Sequence, residues 1–422
     1  MCCEGFKPDF PTETIKEGRV EAIVPKLKAY QNVPSDYAPS KAPVFYNPVM
    51  ELNRDLAVLA LQAYQRRVNR PLRVCEPLTA CGLRGIRFAA EVDGVKKVVM
   101  GDINERAFQL ARCNVEKNGL TDVVEVKNRE ANHLLSRYSA PHRRFDFVDI
   151  DPFGSPVPFI DSAVRALRDG GLLALTATDM APLCGVHPRA CIRKYGGKPL
   201  RTEYCHELAA RLVAGSLATT AAKYGMGTEV VFAHQAEHYV RIYAVVHYGA
   251  NKADESLKNM GYLLHCFKCL HRETIEGLLP AKTQELCREC GSKLSISGPM
   301  WTGKLFDSDF CRSMGKDVRH YKFTLGRQIE KMLALAEAES DTLPSYYVVD
   351  KISDVMGLPV PSVKKVAQAL RDDGYEASLT VFHSRGIKSN APASKMQETV
   401  RQLTNNCMPL VADTSKKRKR KM

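Results

Sequence analysis

The sequence predicts an α/β protein: a doubly wound, mostly parallel sheet followed by a smaller α+β region. Three observations carry this. From about Leu72, the short runs RVCE, KKVVMGD, VVEV, FDFVDID and GLLALTAT alternate with helical stretches such as ERAFQLARCNVEKNG and FIDSAVRALRDGG, the pattern of crossover-linked parallel strands. After a longer helix beginning past Tyr204, TEVVFAH and YVRIYAVVHY stand too close together for a helical crossover and are expected to pair antiparallel. Past residue 250 the composition changes to a cysteine-paired insert, residues 262–297, and then a tract from Pro344 to Leu379 with a helix-turn-helix pattern.

Residues 1–70 are an N-terminal segment expected to contribute to the active site, punctuated by Pro25, Pro34, Pro39, Pro43 and Pro48 before a helix from about Met50 to Tyr64. Residues 71–255 hold the alternating strands and helices, 256–395 the C-terminal domain with the insert, and 396–422 a basic tail. At about 150 residues per domain, 422 residues suggest two or three domains. A 45% hydrophobic and 26% charged composition excludes wholesale disorder. No apolar stretch approaches the roughly 18 residues of a membrane span. Fourteen cysteines in so long a chain, most of them single, as at Cys75, Cys113, Cys184 and Cys205, do not read as a secreted disulfide scaffold. The N-terminus carries Glu4, Asp9, Glu13 and Glu17 and no apolar core, so neither a secretory signal nor an Arg-rich transit peptide is expected, and the compartment is a reducing one. A net charge of +14 calls for a polyanionic partner.

Cys75-Glu-Pro-Leu-Thr-Ala-Cys-Gly-Leu-Arg-Gly85 lies between a predicted strand and a helix, where glycines let backbone turn sharply and approach a ligand. Asp102 ends the next strand twenty positions after Gly82, the spacing at which a carboxylate meets ribose hydroxyls in nucleotide-binding α/β folds. Glu130, near the end of a third strand, is placed to accept from an adenine amino group. The alternative is a tight strand–helix connection with no ligand; the full dinucleotide fingerprint is missing, which counts against NAD.

Asp149-Ile-Asp151-Pro-Phe153-Gly-Ser-Pro156 follows the fourth strand, at the carboxyl edge where such sheets bind ligands. A residue before proline is biased to extended backbone, so Asp151 is expected to point into the crevice beside an aromatic ring. That suits alkylation of a nucleobase exocyclic amine: a carboxylate orients the N–H and receives the departing proton, and Phe153 holds the base plane. The alternative is a turn with a helix-capping Asp.

With these segments in order, the chain resembles the tRNA (guanine-26-N2)-dimethyltransferase family over almost its whole length. The resemblance rests on VFYNPVMELNRDLAV (44–58), PLTACGLRGIRFA (77–89), GDINERA (101–107), NREANHLL (128–135), DIDPFGSPVPFIDSA (149–163), ATDMAPLCG (177–185) and IRKYGG (192–197). It implies a class I (Rossmann-like) S-adenosylmethionine-dependent methyltransferase fold that mono- and dimethylates the N2 amino group of guanine at tRNA position 26. It places Arg54, Arg84, Asp102, Glu130 and Ala131 around S-adenosylmethionine, with Arg54 or Arg84 on the methionine carboxylate. It makes Asp151 the base or amine-orienting acceptor, and Phe45 and Phe153 the pair that sandwiches a flipped guanine. The rival readings are an amino-methyltransferase acting on another RNA or DNA base, and a zinc-ribbon nucleic-acid-binding protein with an inactive methyltransferase domain.

Cys266-x-x-Cys269, seventeen residues, then Cys287-x-x-Cys290 has the spacing of a four-thiolate zinc ribbon, with no open position and therefore structural; His265 and His271 are nearby substitutes. Arg189, Arg193, Lys194, Lys198 and Arg201 form a basic run with no acid before Glu203, expected to flank the catalytic mouth and meet phosphates. Arg385 and Lys388 extend this expectation to the helix-turn-helix region, which otherwise reads as a DNA reader or a packing element. Residues 416–421, KKRKRK, supply six of the fourteen surplus charges. They read as a nuclear import signal for an import receptor, or as a non-specific nucleic-acid-binding tail. The expected location is the nucleus, with the cytoplasm as alternative; the N-terminus gives no support for a mitochondrial pool.

Overall fold

The computed structural model describes residues 8–31, 38–279 and 284–405; the 416–421 tail lies outside the described residues. The chain opens with a hairpin, β1 (Thr12–Glu17) and β2 (Val20–Pro25), closed at Glu17↔Val20 by a Gly18 with positive φ. Helix α1 (Glu51–Val68) is buried along most of its length and ends at Asn69 in the left-handed region.

The central sheet comprises β3 (Leu72–Glu76), β4 (Val95–Asp102), β5 (Val124–Asn128), β6 (Phe145–Ile150), β7 (Leu167–Ala177), β8 (Met226–Ala236) and β9 (Tyr239–Tyr248). Its order is β5-β4-β3-β6-β7-β9-β8; β3 to β7 run parallel, β9 is antiparallel to β7, and β8 to β9. This is the sheet the sequence predicts. Between the strands lie α2 (Leu83–Glu91), α3 (Glu105–Lys117), α4 (Ala131–Ser136), α5 (Val157–Ala166), α6 (Met180–Leu183), α7 (Pro188–Tyr195) and α8 (Cys205–Ala222). The helix expected over FIDSAVRALRDGG stops at Ala166, because Leu167 already pairs with Phe145 and the rest joins β7.

The N-terminal hairpin is held by side chains that imitate a strand. Asn114 of α3 bonds both the N–H (2.7 Å) and the carbonyl (2.9 Å) of Ile23, and Asn118 does the same to Glu21. Asn114 Nδ2 also donates to the Cys81 carbonyl (2.9 Å), coupling the hairpin to the loop after β3.

After α9 (Ala250–Lys258), a second sheet of order β11-β10-β12 is formed by β10 (Met260–His265), β11 (Arg272–Glu276) and β12 (Ser295–Trp301). It sits directly on the first unit: Arg211 of α8 donates to the carbonyls of Trp301 (3.1 Å) and Gly303 (2.8 Å), and Lys198 and Gly298 exchange two backbone bonds of 2.9 Å. The C-terminal part contains α10 (Ser308–Gly315), α11 (Val318–Tyr321), α12 (Gly326–Ala338), β13 (Tyr347–Val348), α13 (Val349–Met356), α14 (Val363–Asp372), β14 (Ala377–Thr380), β15 (His383–Ser389) and α15 (Ala393–Asn405). Here α13 and α14 follow one another where the helix-turn-helix pattern is expected, each packed on α15, and β14 and β15 pair as a hairpin beside them.

Two expectations are corrected. The tail does not begin at 396: Met396 and Val400 of α15 are fully buried against Val366, Leu370 and Ile387, so the packed region runs to Asn405. Lys388 is not an RNA-facing cation. It is 2% exposed, bonded to Glu207 (2.9 Å) and the Leu343 carbonyl (3.1 Å), because the hairpin folds back on α8. Arg385 is likewise ion-paired, to Asp350. Among the described residues no helix is long and apolar enough to cross a membrane.

Candidate active site

The carboxyl ends of β3, β4, β5 and β6 form one edge, and the loops leaving them carry the residues the sequence singles out. Glu76 ends β3 and turns inward, where Oε2 accepts from Thr79 Oγ1 (2.6 Å) and the Gly85 N–H (2.9 Å). Burial pushes its pKa up to about 8 against the pull of Arg84. Gly82 has φ +81°, and a Cβ there would lie 2.9 Å from Met100 Cε. At Gly85 a Cβ would lie 2.3 Å from Met100 Sδ and 2.7 Å from Glu76 Oε2. Gly82 is therefore favoured by its left-handed backbone beside Ala111 of α3, and Gly85 by its closeness to Met100 and Glu76, whether or not a ligand is bound. Gly85→Ala is expected to cost about 1–3 kcal/mol, as overpacking does, read as a lowered urea midpoint; an unchanged midpoint would show that Met100 yields freely.

At the end of β4, Asp102 Oδ2 accepts from the Ala80 N–H and Oδ1 from the Asn104 N–H, both at 2.9 Å. Burial raises its pKa, opposed by the Asn104, Ala80 and Ile103 amides. The carboxylate is held rigid, and each oxygen retains a lone pair. Ile103 beside it is 71% exposed, an apolar side chain standing at the mouth. Glu130 caps α4 by accepting from the His133 N–H (2.8 Å) and Asn132 Nδ2 (3.1 Å), with buried Ala131 as the first residue of the helix.

Asp151 follows β6 and is ion-paired with Arg84 Nη2 through Oδ2. Arg84 Nη1 donates to Asn53 Oδ1 (2.7 Å), and Glu76 and Asp149 lie 3.7 and 3.8 Å from the same guanidinium. Beneath it, buried Asp149 is paired with Arg241 (2.5 Å), which also bonds Thr176 (2.5 Å) and Tyr243 Oη (2.8 Å). Gly154 is pinned to the end of β7 by two bonds with Thr178, of 2.7 and 2.9 Å. The Asp151 loop is thus fixed from below and from the side, while Phe153 is 73% exposed at its tip.

Two expectations change here. Phe45 and Phe153 do come together, but edge to face with centroids 4.6 Å apart and planes at 85°, so no base fits between them as they stand. Such a pair is worth about 0.5–1.5 kcal/mol, whereas stacking a base on an aromatic ring is worth about 1–3 kcal/mol, so a base can displace the contact. Arg54 does not offer a free fork: Nε and Nη2 each meet Glu17 at 2.6 Å, and Nη1 donates to the Asn47 carbonyl. Glu17 also binds buried Arg87 (2.8 Å), which takes Asp55 (2.7 Å) and Glu91 (2.9 Å) as further partners. Arg84 is likewise occupied, so either arginine has to exchange a carboxylate partner before it can hold a ligand's.

The basic run is presented as expected: Arg189, Arg193, Lys194, Lys198 and Arg201 are all exposed along α7 and the loop after it. Arg189 and Arg193 line a shallow hollow of about 450 Å³. Lys194 and the Tyr195 hydroxyl both bond Asp179, just after β7, at 2.8 and 2.5 Å, which anchors α7 beside the catalytic edge.

The four cysteines of the insert converge. Cys266 and Cys290 Sγ are 3.4 Å apart, Cys269 and Cys287 Sγ 3.5 Å, and all four lie within 4.8 Å of one another. Zinc–thiolate bonds of about 2.3 Å require sulfurs about 3.8 Å apart in a tetrahedron. The two knuckles repeat one turn: Leu270 N bonds Cys266 O as Gly291 N bonds Cys287 O (2.9 Å), and Cys266 N bonds His271 O as Cys287 N bonds Ser292 O (2.8 Å). Neither histidine joins them. His265 is buried in β10's packing, and His271 is paired with Glu289 (2.7 Å).

A family model described as N2,N2-dimethylguanosine tRNA methyltransferase matches residues 18–401. The chain belongs to this family. It is 40% identical over 398 residues to the tRNA (guanine(26)-N(2))-dimethyltransferase of Methanobrevibacter smithii, covering 94% of this chain and 99% of the relative. It is 35% identical over 393 residues to a tRNA (guanine(26)-N(2)/guanine(27)-N(2))-dimethyltransferase of Aquifex aeolicus, covering 93% and 96%. Among solved structures it is similar to Trm1 from Pyrococcus horikoshii in complex with S-adenosyl-L-methionine, with a TM-score of 0.80, 35% identity, and 92% and 99% coverage.

In this dimethylguanosine methyltransferase family member, sequence reasoning missed Glu17, Asn53, Glu76, Asp149 and Arg241, the residues that hold Asp151, Arg84 and Arg54 in place. Glu76 carried a signal, an acid closing the strand before a glycine loop. Glu17 carried none, since its partners Arg54 and Arg87 are 37 and 70 positions away.

Proposed function

We propose that the chain is an S-adenosylmethionine-dependent methyltransferase that mono- and dimethylates the N2 amino group of guanine 26 in tRNA. The observation that carries this is Asp151, fixed through Arg84 and directed by Asp149 and Thr178 neighbours to the edge that also bears Asp102, Ile103 and Phe153. The cradle suits the donor: Asp102 retains lone pairs that would take the ribose hydroxyls, Ile103 would offer an apolar face to the adenine, and Glu130 with Ala131 would hold its amino group. Arg84 is the cation nearest the reacting edge and takes the methionine carboxylate by exchange with Asp151 or beside it.

When bound, the donor supplies an electrophilic methyl group. The chain does the rest. Phe153 and Phe45 part to hold an extruded guanine, which at a helical junction hides its amino group. The Asp151 oxygen not held by Arg84 accepts an N–H of that amine, aims its lone pair, and takes the proton released on alkylation. The exposed row Arg189, Arg193, Lys194, Lys198 and Arg201 neutralises tRNA phosphates beside the mouth. Zinc held by Cys266, Cys269, Cys287 and Cys290 is structural, since four thiolates leave no open position.

Incubation with unmodified tRNA and the methyl donor, followed by nucleoside mass spectrometry and position mapping, is expected to give N2-methylguanosine and then N2,N2-dimethylguanosine at position 26. A transcript with adenine there is expected to give neither product; methylation of another base would overturn the reading. We further propose that residues 416–421 bind an import receptor and place the enzyme in the nucleus. Deleting them is expected to move a fluorescently tagged chain to the cytoplasm, and unchanged nuclear signal would sink this assignment.

A further inference from the structure

Three donor side chains outside both sites described so far converge where the catalytic edge meets α8. Cys184 caps α6, its N–H bonded to the Met180 carbonyl at 2.7 Å. Cys205 and His206 open α8. A sulfur of each cysteine and a ring nitrogen of the histidine lie within 4.8 Å of one another, all half-buried. These are the atom types and the span of a Cys2His zinc set, in which bonds of about 2.3 Å to sulfur and 2.0–2.1 Å to nitrogen bring the donors to within about 4 Å of each other.

A second feature holds the segments together. Gly185 has φ +85°, and a Cβ on it would lie 2.7 Å from Arg201 N and 2.9 Å from Leu200 C. The backbone after Cys184 therefore runs in contact with the backbone leading to Cys205, a closeness only glycine permits.

We propose that Cys184, Cys205 and His206 bind a second zinc ion, separate from the four-cysteine site, with its remaining tetrahedral position open to water. Three protein donors plus one exchangeable position is the arrangement of an open zinc site rather than a closed one. Its place in the fold gives it a clear mechanical consequence. It ties the end of the segment leaving β7, whose Thr178 holds Gly154 of the Asp151 loop, to the start of α8, and it brackets the basic stretch from Arg189 to Arg201 between its ligands. The zinc site and the catalytic loop thus share one support.

The test uses the full chain, reduced and loaded with zinc, then freed of unbound metal by gel filtration. Metal analysis is expected to give two zinc ions per chain, falling to one in the Cys184→Ser/Cys205→Ser variant. Cobalt substitution gives an independent reading, because the sulfur-to-cobalt charge-transfer band should fall by a third when six thiolates become four. In the unmutated chain, zinc is expected to slow alkylation of Cys184 and Cys205 in peptide maps, separately from the peptides bearing Cys266, Cys269, Cys287 and Cys290. One zinc per chain with the four-cysteine peptides alone protected, or a cobalt band unchanged in the double variant, would overturn the proposal. So would recovery of Cys184 and Cys205 as a disulfide that zinc does not prevent under reducing conditions.

Discussion

Asp151→Asn is expected to lower kcat for methyl transfer by about 10²–10⁴-fold, the usual weight of a positioned acid–base group, without weakening the affinity for the methyl donor, since it also frees Arg84 from a competing carboxylate. The substitution keeps the side chain's shape and its reach to the amine but removes the charge that draws the N–H and takes the proton. It does not strand Arg84. That guanidinium keeps Asn53 as a hydrogen-bond acceptor at 2.7 Å and has Glu76 and Asp149 within 3.7 and 3.8 Å, so the cost of an unpaired buried cation, about 3–5 kcal/mol, is avoided. Single-turnover rates with saturating donor and tRNA measure the chemical step; equilibrium binding of the donor measures the rest. A variant that turned over at the wild-type rate would remove Asp151 from the chemistry. One that lost donor binding as well would assign it to holding Arg84 instead.

What was legible in the sequence is the part written locally. Asp102, Gly82 and Asp151 could be placed because strand, loop and helix follow one another within a few residues, and the fold puts the carboxyl ends of neighbouring strands on one edge. The antiparallel closure by β8 and β9 was legible for the same reason: their connection is too short for anything else. What escaped was fixed by partners far along the chain. Arg54 looked free because Glu17 approaches it from a hairpin that is held in place by α2 and α3, far along the chain. Lys388 looked like an RNA contact because nothing near it in sequence announces Glu207, 181 positions earlier. Cys184 and Cys205 looked solitary because the glycine contact that brings their segments together lies between backbones. Phe45 and Phe153 were correctly paired, but a sequence cannot say that two rings close on each other when nothing is between them.

Cys287→Ser carries the other large expected effect, on stability and tRNA binding rather than on chemistry. The four-cysteine lobe has a small apolar centre, Leu264, Cys266, Cys287 and Leu294, and is otherwise clipped to α15 by Glu289, which accepts from the Ala393 and Ser394 N–H groups, and by Gln397, which donates to the Cys269 carbonyl. Structural zinc contributes an apparent binding free energy of about 10–16 kcal/mol in small domains, as large as the 5–15 kcal/mol or so that keeps a typical domain folded. Loss of one thiolate is therefore expected to unfold the lobe locally, visible as new protease cleavage between Cys266 and Leu294 and the loss of one zinc ion per chain. The damage should spread along a definite path. β12 is bonded to Lys198 through Gly298 and to α8 through Arg211, so the Lys198–Arg201 end of the basic stretch loses its backing, while α7 keeps its anchor at Asp179. The proposed donor cradle stands on the loops after β3, β4 and β5, so donor binding is expected to persist, while the KM for tRNA rises. A chelator should reproduce both effects in the unmutated chain. If the metal-stripped chain kept its protease resistance and its KM for tRNA, the cysteines would be packing residues and the zinc incidental.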